Sequence, residues 1–203
     1  MNVGLYFGSF NPVHNGHLII ANHVINYTDI KQVWMVVTPQ NPHKNSTTLL
    51  NEYDRLHLVQ SALDGETKIK ASSIEFKLPR PSFTIDTLTY LKEKFPQHQF
   101  SIIMGSDSFT NITKWKNHHL IIKEFDFYLY ERKGFPIKNE LKAKLNILDA
   151  AIVQISSTKI RDMIKSGKSI RYLVPDIVNK EIKENAYYKK TKTINPEKEK
   201  KQL

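Results

Sequence analysis

The sequence predicts an α/β fold in which helices cover an open, parallel β-sheet. Two observations support this prediction: short apolar runs alternate with helix-spaced apolar patterns, and turn-forming residues follow several of these segments. A length of 203 residues is sufficient for one domain with a full core. We predict a single-core domain over 1–188 and a basic, disordered tail over 189–203, because the tail has no apolar periodicity.

Apolar spacing places the individual elements. The predicted strands are short apolar runs, whereas the predicted helices repeat apolar residues every three or four positions. In the second helix, for example, Tyr53, Leu56 and Val59 follow this spacing, and Asp64-Gly65 ends it. In chain order, we predict a strand over 2–7, a helix over 16–28, a strand over 33–37, a helix over 52–63, a strand over 68–72, a helix over 84–95, a strand over 100–104, a helix over 117–125, strands over 127–130 and 151–155, and helices over 157–166 and 175–186.

The charge balance suits a site for small anions. The chain has 30 Lys and Arg against 20 Asp and Glu, a net charge of +10, and part of the surplus lies at the end of the chain. A nucleic-acid-binding module on the same sheet is a remote alternative. Such a protein should interleave basic and aromatic residues on one face, and the sequence does not. We therefore predict no nucleic-acid partner.

Other function classes are disfavoured by composition. The chain has no Cys, which excludes disulfides and thiolate metal sites. It also has no signal-like leader and no apolar stretch of roughly 18 residues, the length that a membrane-spanning helix needs. We predict a cytoplasmic protein with no membrane partner. The sequence leaves the oligomeric state open, with a homo-oligomer as one option.

The segment GSFNPVHNGH, which runs from Gly8 to His17, joins the first predicted strand to the first helix. In open parallel sheets, ligands bind where strands end in such loops. Gly8 lets the backbone approach a ligand, Asn11-Pro12 forces a turn, and a helix beginning at Gly16 directs amides that favour phosphate. Because His14 and His17 are three residues apart, both imidazoles can face one anion. A zinc pair is disfavoured, since helical zinc pairs use i, i+4 spacing with a Glu.

This segment resembles the G-x-F-x-P-x-H-x-G-H signature of the nucleotidyltransferase superfamily. A second superfamily element, I-S-S-T-x-I-R, is matched by residues 155–161. Further segments look like those of the bacterial nicotinate-nucleotide adenylyltransferases: NPHK (41–44), RPSFTIDTL (80–88), MGSD (104–107), Trp115 and YLVPDIVNKEI (172–182). The resemblance covers residues 1–188. It implies a Rossmann-like, doubly wound parallel sheet, the fold of the HxGH nucleotidyltransferases.

The resemblance also implies a reaction. The family transfers the adenylyl group of ATP to nicotinate mononucleotide, giving nicotinate adenine dinucleotide and pyrophosphate in NAD biosynthesis. The attacking phosphate is already anionic at neutral pH, so catalysis can rest on positioning and on stabilising the developing charge. Mg²⁺ is the expected cofactor. It would bridge the ATP phosphates with mostly water ligands, so no dedicated protein site for the metal is expected.

The functional residues follow from the same resemblance. The catalytic residues that it implies are His14, His17, Lys44 and Arg161. The residues implied in ATP binding are Gly8, Ser9, Phe10, Gly16, Gly105, Asp107, Ile155, Ser156, Ser157 and Thr158. The residues implied in binding nicotinate mononucleotide are Ser82, Phe83, Thr84, Thr87 and Trp115.

Each implied role has a chemical reason. His17 stabilises the α-phosphoryl group, and Lys44 brings a point charge to the phosphates. Arg161 clamps the β- or γ-phosphate at the start of its helix. Asp107 accepts from ribose hydroxyls, although it can instead be a helix N-cap. Trp115 stacks on the pyridine ring, with a buried core position as the alternative.

Two related activities stay open as alternatives: adenylyl transfer to nicotinamide mononucleotide or to phosphopantetheine. The phosphopantetheine family is noticeably shorter than this chain, and PSFTIDTL with Trp115 favours a pyridine nucleotide. The sequence departs from the family at two positions. Asn11 replaces a common Asp, and Lys116 stands where many relatives have an aromatic residue, so the effect of Lys116 on the pyridine pocket is open.

Overall fold

A computed structural model describes residues 1–40, 49–151 and 154–189. Six parallel strands form one sheet with the order β3-β2-β1-β4-β5-β6. The strands are β1 (Asn2–Gly8), β2 (Gln32–Val37), β3 (Ile69–Ser72), β4 (Gln99–Gly105), β5 (Asp126–Tyr130) and β6 (Leu145–Leu148). The helices are α1 (Asn15–Tyr27), α2 (Glu52–Ala62), α3 (Thr84–Lys94), α4 (Ser106–Thr110), α5 (His118–Glu124), α6 (Ser157–Lys165) and α7 (Asp176–Glu184).

The strand order reverses direction at the centre of the sheet. From β1 the chain builds outwards through β2 to β3, and it then returns to place β4 on the other side of β1. In the β1–β4 register, Leu5 lies opposite Ile102 and Tyr6 opposite Ile103. The predicted α/β, Rossmann-like, doubly wound fold is confirmed. A reversal of this kind opens a crevice beyond the carboxyl ends of the two central strands, where such sheets bind ligands.

Helices bury both faces of the sheet. On one face, α1, α2, α6 and α7 pack residues such as Val24, Val59 and Ile160 into one apolar cluster. On the other face, α3, α4 and α5 form a second cluster that includes Leu88 and Ile121. Because the central strands are covered on both sides, they are nearly continuous apolar runs, as is typical of parallel sheets.

The prediction for the last strand is wrong. We expected a strand over 151–155, but β6 lies earlier, at Leu145–Leu148, and within the described part of the chain it pairs only with β5. As an edge strand it exposes Ile147 to 66%, so its sequence lacks the buried apolar run of a central strand. Ile155 is buried beneath α6 without belonging to a strand, which explains the misleading apolar pattern. Residues 152–153 lie outside the described residues.

The other elements agree with the sequence to within one or two residues. The structure adds α4 and two 3₁₀ turns, Ile74–Lys77 and Ile112–Lys114, which were not predicted. Within the described ranges, no helix combines the length and apolarity needed to cross a membrane. The tail predicted over 189–203 stays a prediction, because all of it except Lys189 lies outside the described residues.

Candidate active site

Two adjoining cavities lie at the carboxyl ends of the central strands. The larger, of about 540 Å³, is lined on one side by the start of α3, and we call it the α3 cavity. The second, of about 340 Å³, is lined by His14, His17 and Arg161, and we call it the histidine cavity. The two share a wall of five residues: Phe7, Gly8, Ser9, Asp107 and Ser108. This wall is formed by the end of β1 and by the start of α4, which directly follows β4, at the point where the strand order reverses.

The loop after β1 folds back on itself. Phe10 has a φ of 44°, and its ring is buried over Gly8, where an added Cβ would lie 2.8 Å from the Phe10 ring. Gly8 is therefore required by the packing of its own loop, a reason that differs from the ligand approach expected from the sequence. The Phe10 ring packs edge-on against His17, with 5.0 Å between the ring centroids. Phe10 thus supports His17 from within the core.

The two histidines of the loop form one unit. Their rings stack with 3.6 Å between centroids and 18° between planes. The backbone N–H of His14, the N-cap residue of α1, donates to Nδ1 of His17 over 3.2 Å. Because Nδ1 accepts, a neutral His17 carries its hydrogen on Nε2 and can donate from there. The ring orientation of His17 is therefore fixed by His14.

His14 is uncharged at neutral pH. Its side chain is only 2% exposed, and burial, assisted by the positive charge of Arg132, lowers its pKa from 6.5 to about 4. Gly16 lies close behind it, since an added Cβ would be 3.1 Å from His14 Nδ1. Gly16 and Ile155 line a small void of about 20 Å³ behind the rings and do not line the histidine cavity. Their contribution is packing behind the histidines.

The start of α6 meets the loop after β1, as the sequence predicted. Arg161 donates from Nη1 to the carbonyl oxygen of Asn11 over 2.8 Å, and Ser157 donates from Oγ to the Pro12 carbonyl over 2.9 Å. Ser156 caps α6 by accepting from a backbone N–H. These contacts bring the N-terminus of α6 and the two histidines to the same cavity, which Ser156, Ser157 and Thr158 also line.

A further cation of the histidine cavity was not predicted. Arg132 follows β5, and its guanidinium lies 5.3 Å from the centroid of the Tyr130 ring and 4.0 Å from Asp107 Oδ1. Its backbone N–H donates to Ser106 Oγ over 2.8 Å. Its position just past the end of the strand next to β4 is the sequence signal that would have indicated it.

Asp107 lies on the wall between the two cavities. The N-cap of α4 is Gly105, so the alternative that Asp107 is the N-cap is wrong. Gly105 allows the Asp107 side chain to turn back, because a Cβ at Gly105 would lie 2.5 Å from Asp107 Oδ1. The glycine thus leaves room for this close approach.

A buried arginine connects the loops that border the site. Arg55 in α2 is fully buried and donates four hydrogen bonds of 2.7 to 2.8 Å to backbone carbonyl oxygens. The acceptors belong to Ser9, Thr38, Pro39 and Leu50. The loops after β1 and β2 are thus held together by one guanidinium. No local pattern in the sequence indicates this role, because a charged residue on a helix is usually exposed.

The α3 cavity contains most of the residues predicted for the mononucleotide. Ser82, Phe83, Thr84 and Trp115 line it. Trp115 is partly buried and packs against the second apolar cluster, so it has both a core contact and a cavity face. Thr87, in contrast, does not line this cavity, since its fully buried hydroxyl donates to Glu75 Oε1 over 2.9 Å.

Charged residues also lie at the α3 cavity. Lys116 lines it, with its ammonium 3.0 Å from Asp86 Oδ1 and 4.9 Å from the centroid of the Phe83 ring. Glu75, which sequence analysis missed, lines the same cavity with its side chain 2% exposed. Burial raises the pKa of the Glu75 carboxyl above its ordinary value. The two cavities therefore differ in charge as well as in size.

Two further expectations concern charge and metal. Lys44, predicted to reach the phosphates, lies outside the described residues. Across 1–40, 49–151 and 154–189, no group of three or more His, Cys, Asp or Glu is arranged to hold a metal ion. Asp107 is the one carboxylate among the described residues that line the histidine cavity.

Comparison with known proteins gives a consistent result. The sequence profile of the cytidylyltransferase-like family matches residues 5–163. A protein of Flavobacterium johnsoniae named "Probable nicotinate-nucleotide adenylyltransferase" is 51% identical over 193 residues, covering 94% of this chain and 100% of the relative. A protein of Cytophaga hutchinsonii with the same name is 46% identical over 190 residues, covering 93% and 98%. The chain belongs to the nicotinate-nucleotide adenylyltransferases of the cytidylyltransferase-like family.

Solved structures show the same fold. The nicotinic acid mononucleotide adenylyltransferase of Plasmodium falciparum, complexed with NaAD, superposes with a TM-score of 0.80 at 22% sequence identity. The match covers 92% of this chain and 97% of the parasite chain. The same enzyme complexed with APC gives a TM-score of 0.78. At this level of identity, the likeness shows the fold alone.

Proposed function

We infer that the protein transfers the adenylyl group of ATP to nicotinate mononucleotide, giving nicotinate adenine dinucleotide and pyrophosphate. Family membership supports this function. The structural observation that carries it is the shared wall between the two cavities, because a two-substrate transfer needs two sites that meet. The triphosphate of ATP occupies the histidine cavity, and the mononucleotide occupies the α3 cavity. The phosphate of the mononucleotide then approaches the α-phosphorus of ATP across the shared wall at Gly8 and Asp107.

We propose that catalysis is electrostatic. His17 donates from Nε2 to an oxygen of the α-phosphoryl group, and its position is supported by the stacked, neutral His14. Arg161 and the first amides of α6, at Ser157 and Thr158, stabilise the departing pyrophosphate. No residue has to remove a proton from the attacking phosphate. The free energy needed to orient these donors is supplied when the protein folds, so the donors need little reorganisation during the reaction.

The remaining residues of the histidine cavity bind and orient ATP. Arg132 adds a second guanidinium beside the histidines, and Asp107 accepts from hydroxyl groups of the ATP ribose. Lys44 keeps its proposed role as a point charge on the phosphates, which rests on the sequence motif. Ser9 and the backbone around Gly8 complete the ATP side of the shared wall.

The α3 cavity receives the pyridine nucleotide. Trp115 stacks on the pyridine ring from the cavity wall.

The start of α3 recognises the substituent on the ring. The N-cap of α3 is Phe83, which makes no side-chain capping bond, so the amides near Ser82 to Thr84 favour a carboxylate. These donors support the acid form of the substrate over the amide form. Lys116 has its charge paired with Asp86, which makes its contribution to the acid preference secondary.

Magnesium is proposed to enter with ATP. The described residues offer a single carboxylate at the histidine cavity, which fits a metal held mainly by phosphate oxygens and water rather than by a protein cage. Asp107 is the residue that would approach such an ion. When bound, the ion neutralises charge on the phosphates. We further propose that the enzyme works in the cytoplasm, where ATP is available, without a nucleic-acid partner.

The test is a turnover assay with ATP and each mononucleotide, followed by release of pyrophosphate. We expect faster turnover of nicotinate mononucleotide than of nicotinamide mononucleotide, and no turnover of phosphopantetheine. Faster turnover of the amide would overturn the substrate assignment. A gel-shift assay tests the nucleic-acid alternative. Binding that survives both high salt and deletion of residues 189–203 would favour that alternative.

A further inference from the structure

A buried carboxylate in the α3 cavity has no part in the mechanism above. Glu75 lies in the 3₁₀ turn Ile74–Lys77, directly after β3 and on the wall of this cavity. Its two oxygens accept from different hydroxyls: Oε2 from Ser82 Oγ over 3.2 Å and Oε1 from Thr87 Oγ1 over 2.9 Å. All three side chains are buried. A carboxylate is an unexpected neighbour for a cavity that binds an anionic ring, so its presence needs a physical reason.

The hydroxyl of Ser82 is placed where it can compete with a ligand. Ser82 lies two residues before Thr84, the first residue of α3. A serine hydroxyl readily accepts from the backbone N–H two residues further along the chain. Such a bond would occupy an amide at the helix N-terminus, which is the group that a substrate carboxylate needs. Among the hydrogen bonds of the described residues this bond is absent, and the Ser82 hydroxyl is instead held by its bond to Glu75.

We propose that Glu75 is a positioning residue for substrate selection: by holding the Ser82 and Thr87 hydroxyls, it keeps the first amides of α3 available to the carboxylate of nicotinate mononucleotide. The inference rests on the proposed function and deepens it. Thr87 contributes from within α3, so Glu75 also fixes the start of the helix against the 3₁₀ turn.

The environment of Glu75 limits repulsion of an anionic substrate. Burial raises the pKa of this carboxyl, which favours its uncharged form. The groups near it are the hydroxyls of Thr38, Ser82 and Thr87, while Lys116, paired with Asp86, lies on the same cavity wall. A neutral Glu75 still bonds both hydroxyls, donating to one and accepting from the other. A glutamine can make the same two contacts.

The experiment compares Glu75→Ala and Glu75→Gln with the native protein, using both mononucleotides. We expect Glu75→Ala to raise KM for nicotinate mononucleotide about tenfold and to lower the acid-to-amide ratio of kcat/KM at least fivefold. The KM for ATP should change less than twofold. Glu75→Gln should return the ratio to within threefold of the native value. Glu93→Ala, an exposed glutamate in the last turn of α3, is the matched control and should leave the ratio unchanged.

A double variant tests the competing hydroxyl directly. If the Ser82 hydroxyl occupies the helix amide when Glu75 is removed, Glu75→Ala with Ser82→Ala should recover at least half of the lost acid preference. Thermal unfolding of every variant separates this recovery from loss of fold. A native enzyme that prefers the acid, combined with an unchanged ratio in folded Glu75→Ala, overturns the inference about Glu75. A native enzyme without acid preference overturns the proposed function instead.

Discussion

The two cavities share a wall, yet they are built from different chemistry. The histidine cavity contains two guanidinium groups, Arg132 and Arg161, with two stacked imidazoles. The α3 cavity contains an indole, hydroxyls and a buried carboxyl, with its lysine paired. The contrast indicates a division of labour. Under the proposed function, one cavity stabilises charge that changes during the reaction, whereas the other selects a ring and its substituent before the reaction begins.

The largest expected effect is at His17. Removing a preorganised donor to a developing negative charge costs about 10²- to 10³-fold in kcat. We therefore expect His17→Ala to lower kcat by this factor while KM for the mononucleotide stays within threefold. Steady-state kinetics provide the measurement. His23→Ala in the same helix, where His23 stacks on Tyr27 away from the cavities, is the control. A folded His17→Ala protein with normal kcat would contradict the proposal that the histidine cavity stabilises the developing charge.

Arg161 should have the next largest effect. Its guanidinium supports the loop through Asn11 and contacts Thr158 at the start of α6, so it combines charge with geometry. We expect Arg161→Ala to lower kcat/KM for ATP about 100-fold. Arg161→Lys keeps the charge without the planar fork and should recover only part of the loss. Full recovery by lysine would show that charge alone matters at this position.

His14 should make the free energy of unfolding depend on pH. Its folded pKa of about 4 lies below the ordinary 6.5, so between these values the unfolded chain binds a proton that the folded chain does not. Stability is therefore lost as pH falls through this window. For this residue alone, the loss between pH 7 and pH 4.5 is about 2–3 kcal/mol.

Urea unfolding at the two pH values measures this effect. His14→Asn cannot take up the proton and should reduce the acid-induced loss of unfolding free energy by about 2–3 kcal/mol. His119→Asn, at an exposed histidine, should leave the loss as it is in the native protein. An equal acid-induced loss in all three proteins would mean that burial does not depress the His14 pKa.

Substitution of Trp115, in the α3 cavity, should have the smallest effect on catalysis. Stacking contributes to ground-state binding, so Trp115→Ala is expected to raise KM for nicotinate mononucleotide about tenfold with little change in kcat. Trp115→Phe should keep most of the affinity. If Trp115→Ala instead lowers the melting temperature and leaves KM unchanged, the contact of Trp115 with the apolar cluster is its main role.

The sequence predicted the parts of the fold and the site that depend on local patterns. Five of six strands were located by apolar runs, because central strands in a parallel sheet are buried on both faces. The motif segments at 8–17 and 155–161 indicated the residues that meet at the histidine cavity. The edge strand β6 was misplaced because exposure removes the apolar pattern. Phe10, predicted to bind ATP, lines the histidine cavity although it is buried, whereas Thr87 lines neither cavity, and burial of this kind has no local sequence pattern.

Other features were decided only by the tertiary structure. Arg55 contacts Ser9, 46 positions away in the chain, and Glu75 contacts Ser82 and Thr87 across the turn before α3. Neither charged residue has a local pattern that separates it from an exposed charge. The neutral state of His14 likewise follows from burial beside Arg132, 118 positions along the chain. Sequence alone therefore determined the class of fold and indicated the candidate site residues. Burial and long-range hydrogen bonds, which exist only once the chain has folded, decided their charge, their orientation and the supports that hold them.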